Sequence, residues 1–511
     1  LSVDLSDRQT VSPFRGSRLL IIALLGALLA GAAELPFGGW IQIPILSLVW
    51  WQLQKNHIHS IKGSLISGLS FGLGYFVIGL WWIYISLHDV GGMHAIISAA
   101  AVLLLATGMG LFFACACLPL YLKTASRLRG LVLASSWVIV EYIRGTIFTG
   151  FPWMGFAEAQ VNGPFAPATP IFGGLVCTFL VIWISWEILQ LKKQARFSGI
   201  CIISAIVLSQ LVGIWAFTKP TGEPLSIRLI QGNFEQSLKF NPQAIQEQFI
   251  FYTAAIKKQA ADLIITPETA YPWPQNNLPS GLIQSLQDFS NHSFSNVLIG
   301  LIGETSQSQD SQYTNRALGI SPNMPSYQYD KSHLVPFGEF IPPGFHWFVN
   351  AFNVPMSDFA RGKPDQAPFG IQRAQQETIN AAITICYEDV FGGELATRIR
   401  GSSKPVNLLI NMTNLAWFGD SQAPGQQLRL SQLRSLETGL PSVRATNTGI
   451  TAVLGPNGQV LAELPKFTQG VLEFKVQAYS GLTPYVMWGN APILGLSCLL
   501  LVLGAIRQRR I

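Results

Sequence analysis

Long apolar runs broken by short polar segments fill the first 220 residues. A bilayer core is crossed by about 20 mostly apolar residues in a helix. Seven stretches approach that length: 18–34, 39–54, 63–87, 94–121, 129–148, 170–190 and 199–217. An eighth covers 488–506. The second is short and carries Pro44, which weakens it as a span. Residues 149–169 hold too much Gly, Pro and aromatic character for a span and are expected at the membrane interface. The first stretch lacks a compact signal pattern with a cleavage site, and more spans follow, so it reads as a retained anchor.

Beyond residue 220 the period changes. Strand-like runs occur at 226–233, 261–269, 296–304, 316–321, 378–388, 405–414, 449–456 and 470–476. Helical patterns fit 242–260, 280–291 and 424–439, the first opening at Asn241-Pro242 as a cap followed by a first-turn proline. Interleaved strands and helices predict a layered α/β domain. The expected division is therefore a membrane domain over 1–219, a soluble domain over 220–485, and a final span with its tail over 486–511.

Charge sets the orientation. Arg8, Arg15 and Arg18 precede the first stretch; Lys55 and Lys62, then Lys123, Arg127 and Arg129, then Lys192, Lys193 and Arg196 fall in alternate breaks; Arg507, Arg509 and Arg510 end the chain. The intervening loops 34–38, 88–93 and 149–169 have no Lys or Arg. The positive-inside rule then places both termini in the cytoplasm and the 220–485 segment across the membrane. Composition agrees, since only 12% of residues are charged where soluble chains have about 25%. The net charge of +6 does not point to nucleic acid, because residues 219–484 carry −2 and the remainder +8.

Of six cysteines, only Cys386 lies in the soluble domain; Cys115, Cys117, Cys177, Cys201 and Cys498 fall in apolar stretches. A lone thiol in an oxidising compartment is either inert and buried or kept free for reaction. Two predicted strands end in chemical groups, one at Pro267-Glu268 and one at Cys386-Tyr387-Glu388. A third segment, Tyr329 to Glu339, joins charged and turn residues after a β-like run and includes Lys331. The GxSxG pattern at Gly68–Gly72 lies inside an apolar stretch, where small residues serve helix packing. Neither a zinc-type histidine pattern nor a phosphate loop is present.

ITPETAYP, YDKSHLVPFGEF and ICYE resemble the Glu, Lys and Cys signatures of the nitrilase superfamily. Set between seven spans and a last one, such a domain is similar to the bacterial apolipoprotein N-acyltransferase family, which QGNFEQSLKF, TGFPWMGF, AWFG, RATNTGITAV and GLTPY also fit. Phe240 stands where that family commonly has Trp, and Leu415 where an Asp often precedes AWFG. The resemblance implies a polytopic helical membrane domain of about eight spans joined to an α-β-β-α sandwich.

The resemblance also implies roles. Cys386 is the nucleophile, Glu268 the base that takes its proton, and Lys331 the charge that holds the oxyanion. Glu339 orients Lys331 or Glu268. The Tyr387 N–H is a second oxyanion donor, and Glu388 buttresses Lys331 or the 405–414 strand. Tyr387, Trp417 and Phe240 line the acyl or headgroup pocket. The aromatic segment 341–359 is expected to dip into the headgroup region, and 414–425 to form a second arm. The implied activity takes a fatty acyl chain from a phospholipid such as phosphatidylethanolamine, through a thioester, to the amine of a diacylglyceryl-cysteine lipoprotein. It implies a monomer in the inner membrane with a periplasmic site and no metal or organic cofactor. Two alternatives stay open: a membrane-anchored nitrilase-like amidase using water, and a non-enzymatic receptor or transporter.

Overall fold

The apolar stretches fold as helices for the reason their length suggested. A backbone out of water must satisfy its own hydrogen bonds. The computed structural model describes residues 16–55, 60–121, 126–235, 241–305, 312–342, 344 and 358–508. Phe240 and most of the 341–359 segment lie outside these. The first part comprises α1 (Gly16–Ala32), α2 (Gly38–Lys55), α3 (Ile61–Gly79), α4 (Trp82–Ile85), α5 (Ala95–Ala116), α6 (Ser126–Arg144), α7 (Phe156–Gln160), α8 (Thr169–Phe172) and α9 (Gly174–Val212). Among the described residues, Ile61–Gly79, Ala95–Tyr121 and Gly174–Val212 are long and apolar enough to cross a membrane, and Gly16–Ala32 and Ala491–Ile506 are shorter apolar helices.

Two details add to the expected pattern. The stretches 170–190 and 199–217 merge into α9, yet Gln194 has non-helical angles (φ −146°, ψ 56°). Ser198 Oγ donates to Glu187 Oε2 at 2.7 Å. Eleven residues of straight helix span about 16 Å, so the chain folds back at Gln194 and α9 is two arms. The connection 149–169 is largely buried: Trp153, Met154, Phe156 and Ala157 are all core residues. Small residues let the helices close. A Cβ on Gly68 of α3 would lie 2.7 Å from Ala114 Cα of α5, so this glycine of the GxSxG pattern serves packing.

The soluble part holds two mixed sheets. The first runs β13-β1-β2-β4-β5-β6 with β3 beside β4, and the second β12-β11-β10-β9-β8-β7. The first contains β1 (Thr218–Gln231), β2 (Leu263–Ile265), β3 (Tyr271–Pro274), β4 (Asn296–Thr305), β5 (Gln312–Ile320), β6 (Tyr327–Asp330) and β13 (Gly470–Gly481). The second contains β7 (Phe369–Ile371), β8 (Ile379–Ile385), β9 (Leu408–Thr413), β10 (Ser442–Thr446), β11 (Ala452–Leu454) and β12 (Val460–Glu463).

Ile227, Leu229 and Leu298 of the first sheet pack against Ile383, Ile410 and Val443 of the second. The first sheet's outer face is covered by Tyr252 and Ile256 of α10 (Pro242–Lys257) and Leu286 of α11 (Leu282–Ser293). The second sheet's outer face is covered by Leu395 and Ile399 of α12 (Gly392–Gly401). These are the four layers of an α-β-β-α sandwich. As the sequence suggested, Asn241 caps α10, its side chain accepting from the N–H groups of Gln243 and Ala244.

The remaining helices are α13 (Ala423–Thr438), α14 (Pro484–Trp488) and α15 (Ala491–Gln508). Gly504 of α15 lies against Val132 of α6, returning the chain to the first helices. The soluble part docks on the loops without Lys or Arg. Arg429 of α13 pairs with Glu34, and Glu437 accepts the Gly174 N–H at 2.8 Å.

Candidate active site

Three strands of the sandwich end in the residues singled out above. β2 passes through Thr266 and Pro267 to Glu268, β6 to Lys331, and β8 to Cys386. β2 and β6 belong to the first sheet, with β4 and β5 between them, and β8 to the second, so the three ends meet at one edge of the sandwich and bring together groups about 60 residues apart in sequence. Thr269 (φ 46°) and Cys386 (φ 51°) both occupy the left-handed region. For a non-glycine residue this conformation costs on the order of 1–3 kcal/mol, held in place by surrounding structure. At Cys386 it turns the chain sharply from β8 into the 3-10 turn Cys386–Val390. Gly300 in β4 makes room for the Glu268 loop: a Cβ there would lie 2.3 Å from the Pro267 carbonyl oxygen and 2.6 Å from the Thr269 nitrogen.

Lys331 is fully buried. Its Nζ donates to Glu339 Oε1 at 2.9 Å and to Glu268 Oε1 at 3.3 Å. Burial pulls the Lys331 pKa down, but Glu339, Glu268 and then Cys386 outweigh it, and the net shift is upward. The ammonium is therefore permanent. One cation among two carboxylates leaves this cluster with an excess negative charge. Asn315 of β5 bridges the carboxylates, donating to Glu268 at 2.7 Å and to Glu339 at 2.9 Å. The Asn414 N–H fixes the second Glu268 oxygen at 2.8 Å, and the Val335 N–H fixes that of Glu339 at 2.9 Å.

The Cys386 thiol is pushed up to about 12, by burial first and by the Glu268 charge next, with Lys331 and a hydrogen bond from Thr413 acting the other way. At neutral pH the thiol therefore keeps its proton. Gln427 of α13 donates to the Cys386 carbonyl at 3.2 Å and stands 4.0 Å from its sulfur. Arg444 of β10 holds the other end, donating to Gln427 Oε1 at 2.9 Å.

Glu388 differs from expectation. Its carboxylate accepts from Tyr329, Ser332 and His333 on one side and from the Ile385 N–H on the other, at 2.7–3.2 Å. Its hydrogen bonds go neither to the Lys331 side chain nor to the 405–414 strand. Glu388 instead clamps the backbone beside Lys331 to the residue before Cys386.

Tyr387 is buried, donates its hydroxyl to the Gly150 carbonyl at 3.2 Å and stacks on Trp153. Its ring thus ties the Cys386 turn to the membrane part. Trp417 is partly exposed on the Ala416–Phe418 turn, where Phe418 is the ring that meets Trp82. Asn315, Thr413, Gln427 and Arg444 were not evident from sequence, because single amides, hydroxyls and guanidinium groups carry no periodic signal.

The family model for the apolipoprotein N-acyltransferase N-terminal domain matches residues 25–186, and that for carbon-nitrogen hydrolases matches residues 226–485. An apolipoprotein N-acyltransferase from Ralstonia nicotianae is 39% identical, over 100% of this chain and 98% of its own. One from Nitrosomonas europaea is 34% identical over 91% and 92%. The chain belongs to the apolipoprotein N-acyltransferase family. Within that family assignment, the first match runs from α1 into the first arm of α9, and the second from β1 into α14. A CN-hydrolase superfamily structure from Xanthomonas campestris is also similar, with 16% identity, 54% of this chain and 97% of that chain covered, and a TM-score of 0.37.

Proposed function

We propose that the protein moves a fatty acyl chain from a membrane phospholipid, through a thioester on Cys386, to the N-terminal amine of a diacylglyceryl-cysteine lipoprotein. The observation that carries this reading is the buried Glu268–Lys331–Glu339 cluster, whose charges act on the Cys386 thiol. Glu268 takes the thiol proton, and the sulfur adds to the ester carbonyl of a phosphatidylethanolamine-like donor. Lys331 and the Tyr387 N–H receive the oxyanion. The ester C–O bond breaks, Glu268 returns the proton to the glycerol oxygen, and a lysophospholipid leaves. The lipoprotein amine then takes the acyl group in a second, ping-pong step.

A membrane-embedded location follows from the substrate. Drawing an acyl chain of about 16 methylenes into water costs on the order of 12 kcal/mol. The reading therefore keeps about eight spans over 1–219 and 486–511, a catalytic domain over 220–485, both termini in the cytoplasm and the site on the outer side of the inner membrane. Its support is that α13 and the Cys386 turn touch Glu34, Trp82, Gly150 and Gly174, all in or beside connections without Lys or Arg. Substrate contacts from Trp417 and Phe240 belong to the same proposal, as does action as a monomer.

The test is acyl transfer from a defined phospholipid to a diacylated lipopeptide by wild type and by Cys386→Ala. Wild type is expected to form the triacylated product and the variant none. Free fatty acid without lipopeptide product identifies a hydrolase instead, and full transfer by Cys386→Ala contradicts the proposal.

A further inference from the structure

Thr413 ends β9, and the strand register places it beside the proposed nucleophile. β8 and β9 run parallel with Ile385 opposite Met412, so the next residues, Cys386 and Thr413, are neighbours across the two strands. Thr413 is fully buried, and β10 holds its other side. Thr446 lies opposite it, and the Asn447 N–H donates to its carbonyl at 3.1 Å. Its hydroxyl is a hydrogen-bond partner of the Cys386 sulfur.

The direction of that bond follows from the groups behind it. Arg444 has donors only, so the Gln427 oxygen faces it, at 2.9 Å, and the Gln427 nitrogen faces away. Arg444 is itself held in place, fully buried, with Asp389 at 3.7 Å and the Gln427 carbonyl at 3.1 Å. The Gln427 amide has two hydrogens, and two oxygens accept from it at 3.2 Å, the Cys386 carbonyl and Thr413 Oγ1. The sulfur, at 4.0 Å, is a weaker partner of that amide. Thr413 Oγ1 therefore accepts from Gln427 and has its single hydrogen left for the sulfur. The competing direction, back to Gln427 Oε1, is longer at 3.4 Å, and that oxygen already accepts from Arg444.

We propose that Thr413 is a further catalytic residue, its hydroxyl donating to the Cys386 sulfur while that atom carries negative charge, and that Gln427 and Arg444 are the positioning residues that aim it. The proposal rests on the acyl-transfer reading above and adds to it the group that stabilises the sulfur in both half-reactions.

A hydroxyl facing a neutral thiol sulfur is a weak interaction, whereas the same hydroxyl facing a thiolate is charge-assisted. Its contribution grows with the charge, so it lowers the barrier more than the ground state. The surroundings create the need, because Glu268 and Glu339 oppose negative charge on the sulfur and share one cation, Lys331. In loading, Glu268 takes the thiol proton and the sulfur electron pair forms the C–S bond. In discharge, the amine nitrogen forms the C–N bond and the C–S pair returns to the sulfur. One amine proton passes through Glu268 to restore the thiol, and the Thr413 proton stays on its oxygen throughout.

Thr413→Val keeps the shape and removes the donor, whereas Thr413→Ser keeps the donor. Full-length protein is loaded from phosphatidylethanolamine, with the thioester followed by mass, and is then discharged with a diacylglyceryl-cysteine peptide. Both steps are expected to slow about tenfold or more in Thr413→Val, the size of a lost hydrogen bond to a charged group. Thr413→Ser recovers most of that loss. Alkylation of Cys386 by iodoacetamide needs no lipid. At about pH 9 it is expected to slow about threefold or more in Thr413→Val, an about tenfold smaller thiolate share being partly offset by the higher nucleophilicity of a more basic sulfur.

Unchanged alkylation or unchanged loading in Thr413→Val overturns the proposal. So does a Thr413→Ser protein as slow as Thr413→Val, since the loss then comes from packing of the methyl group. Thr413→Ala takes the place of Thr413→Val if the latter does not fold. Wild type that takes no acyl chain overturns the acyl-transfer reading, and the alkylation comparison still decides whether Thr413 serves the sulfur.

Discussion

Gln426 and Gln427 are neighbours on α13 and serve different parts of the molecule. Gln426 Oε1 accepts from the indole N–H groups of Trp82 at 3.0 Å and Trp153 at 2.7 Å, while Gln427 donates to the Cys386 carbonyl. One helix turn thus joins the membrane part to the proposed nucleophile.

Replacing Gln427 by Glu keeps an oxygen for Arg444 but turns the donor facing Cys386 into an acceptor. Thioester formation in a single turnover is expected to fall about tenfold or more. An unchanged rate excludes Gln427 from positioning the thiol.

Gln426→Leu strips the acceptor from the buried Trp153 indole N–H, while that of Trp82 keeps the Gly79 carbonyl. One unsatisfied donor costs roughly 1–3 kcal/mol. The thermal midpoint in detergent should drop and proteolysis between the two parts should rise, both measurable on purified protein. An unaltered midpoint shows that the Trp153 indole finds another partner.

Lys331→Met leaves Glu268 and Glu339 without their shared cation. Breaking such a buried pair costs about 3–5 kcal/mol, and losing an oxyanion charge lowers turnover roughly 10²–10³-fold. Acylation rate and denaturation midpoint should both fall. A stable, active variant removes Lys331 from the site.

How much of this was legible in the sequence depended on periodicity. The buried runs INAAITI and LLINMT announced β8 and β9, and three strand ends pointed to Glu268, Lys331 and Cys386. The short strands β7 and β12 are too brief to carry an alternation, and β10 hides its central place because Arg444 interrupts its apolar run. The Glu388 clamp depends on how the 329–333 segment crosses the Cys386 turn, which spacing along the chain does not encode. The fold-back at Gln194 followed from the cluster Lys192, Lys193 and Arg196, although helical angles resume on both sides of it.

A thiol pushed up to about 12 has a defined pH signature. The proton is held more tightly in the folded protein than in a free cysteine, so the reactive thiolate becomes abundant only at high pH. Alkylation of Cys386 by iodoacetamide, read by peptide mass, should still be rising at about pH 10, above the range where a free thiol near 8.5 levels off. A plateau below about pH 8 would mean a preformed thiolate and remove the need for Glu268 as base.

The most direct measurement is the intact mass of the protein after incubation with one phospholipid of known acyl chains and no acceptor. Wild type is predicted to gain a single acyl mass, mapped to Cys386 and discharged on adding a diacylated lipopeptide, while Cys386→Ala gains nothing. An acyl adduct that persists in Cys386→Ala, or transfer to the lipopeptide without any adduct on Cys386, would contradict the account.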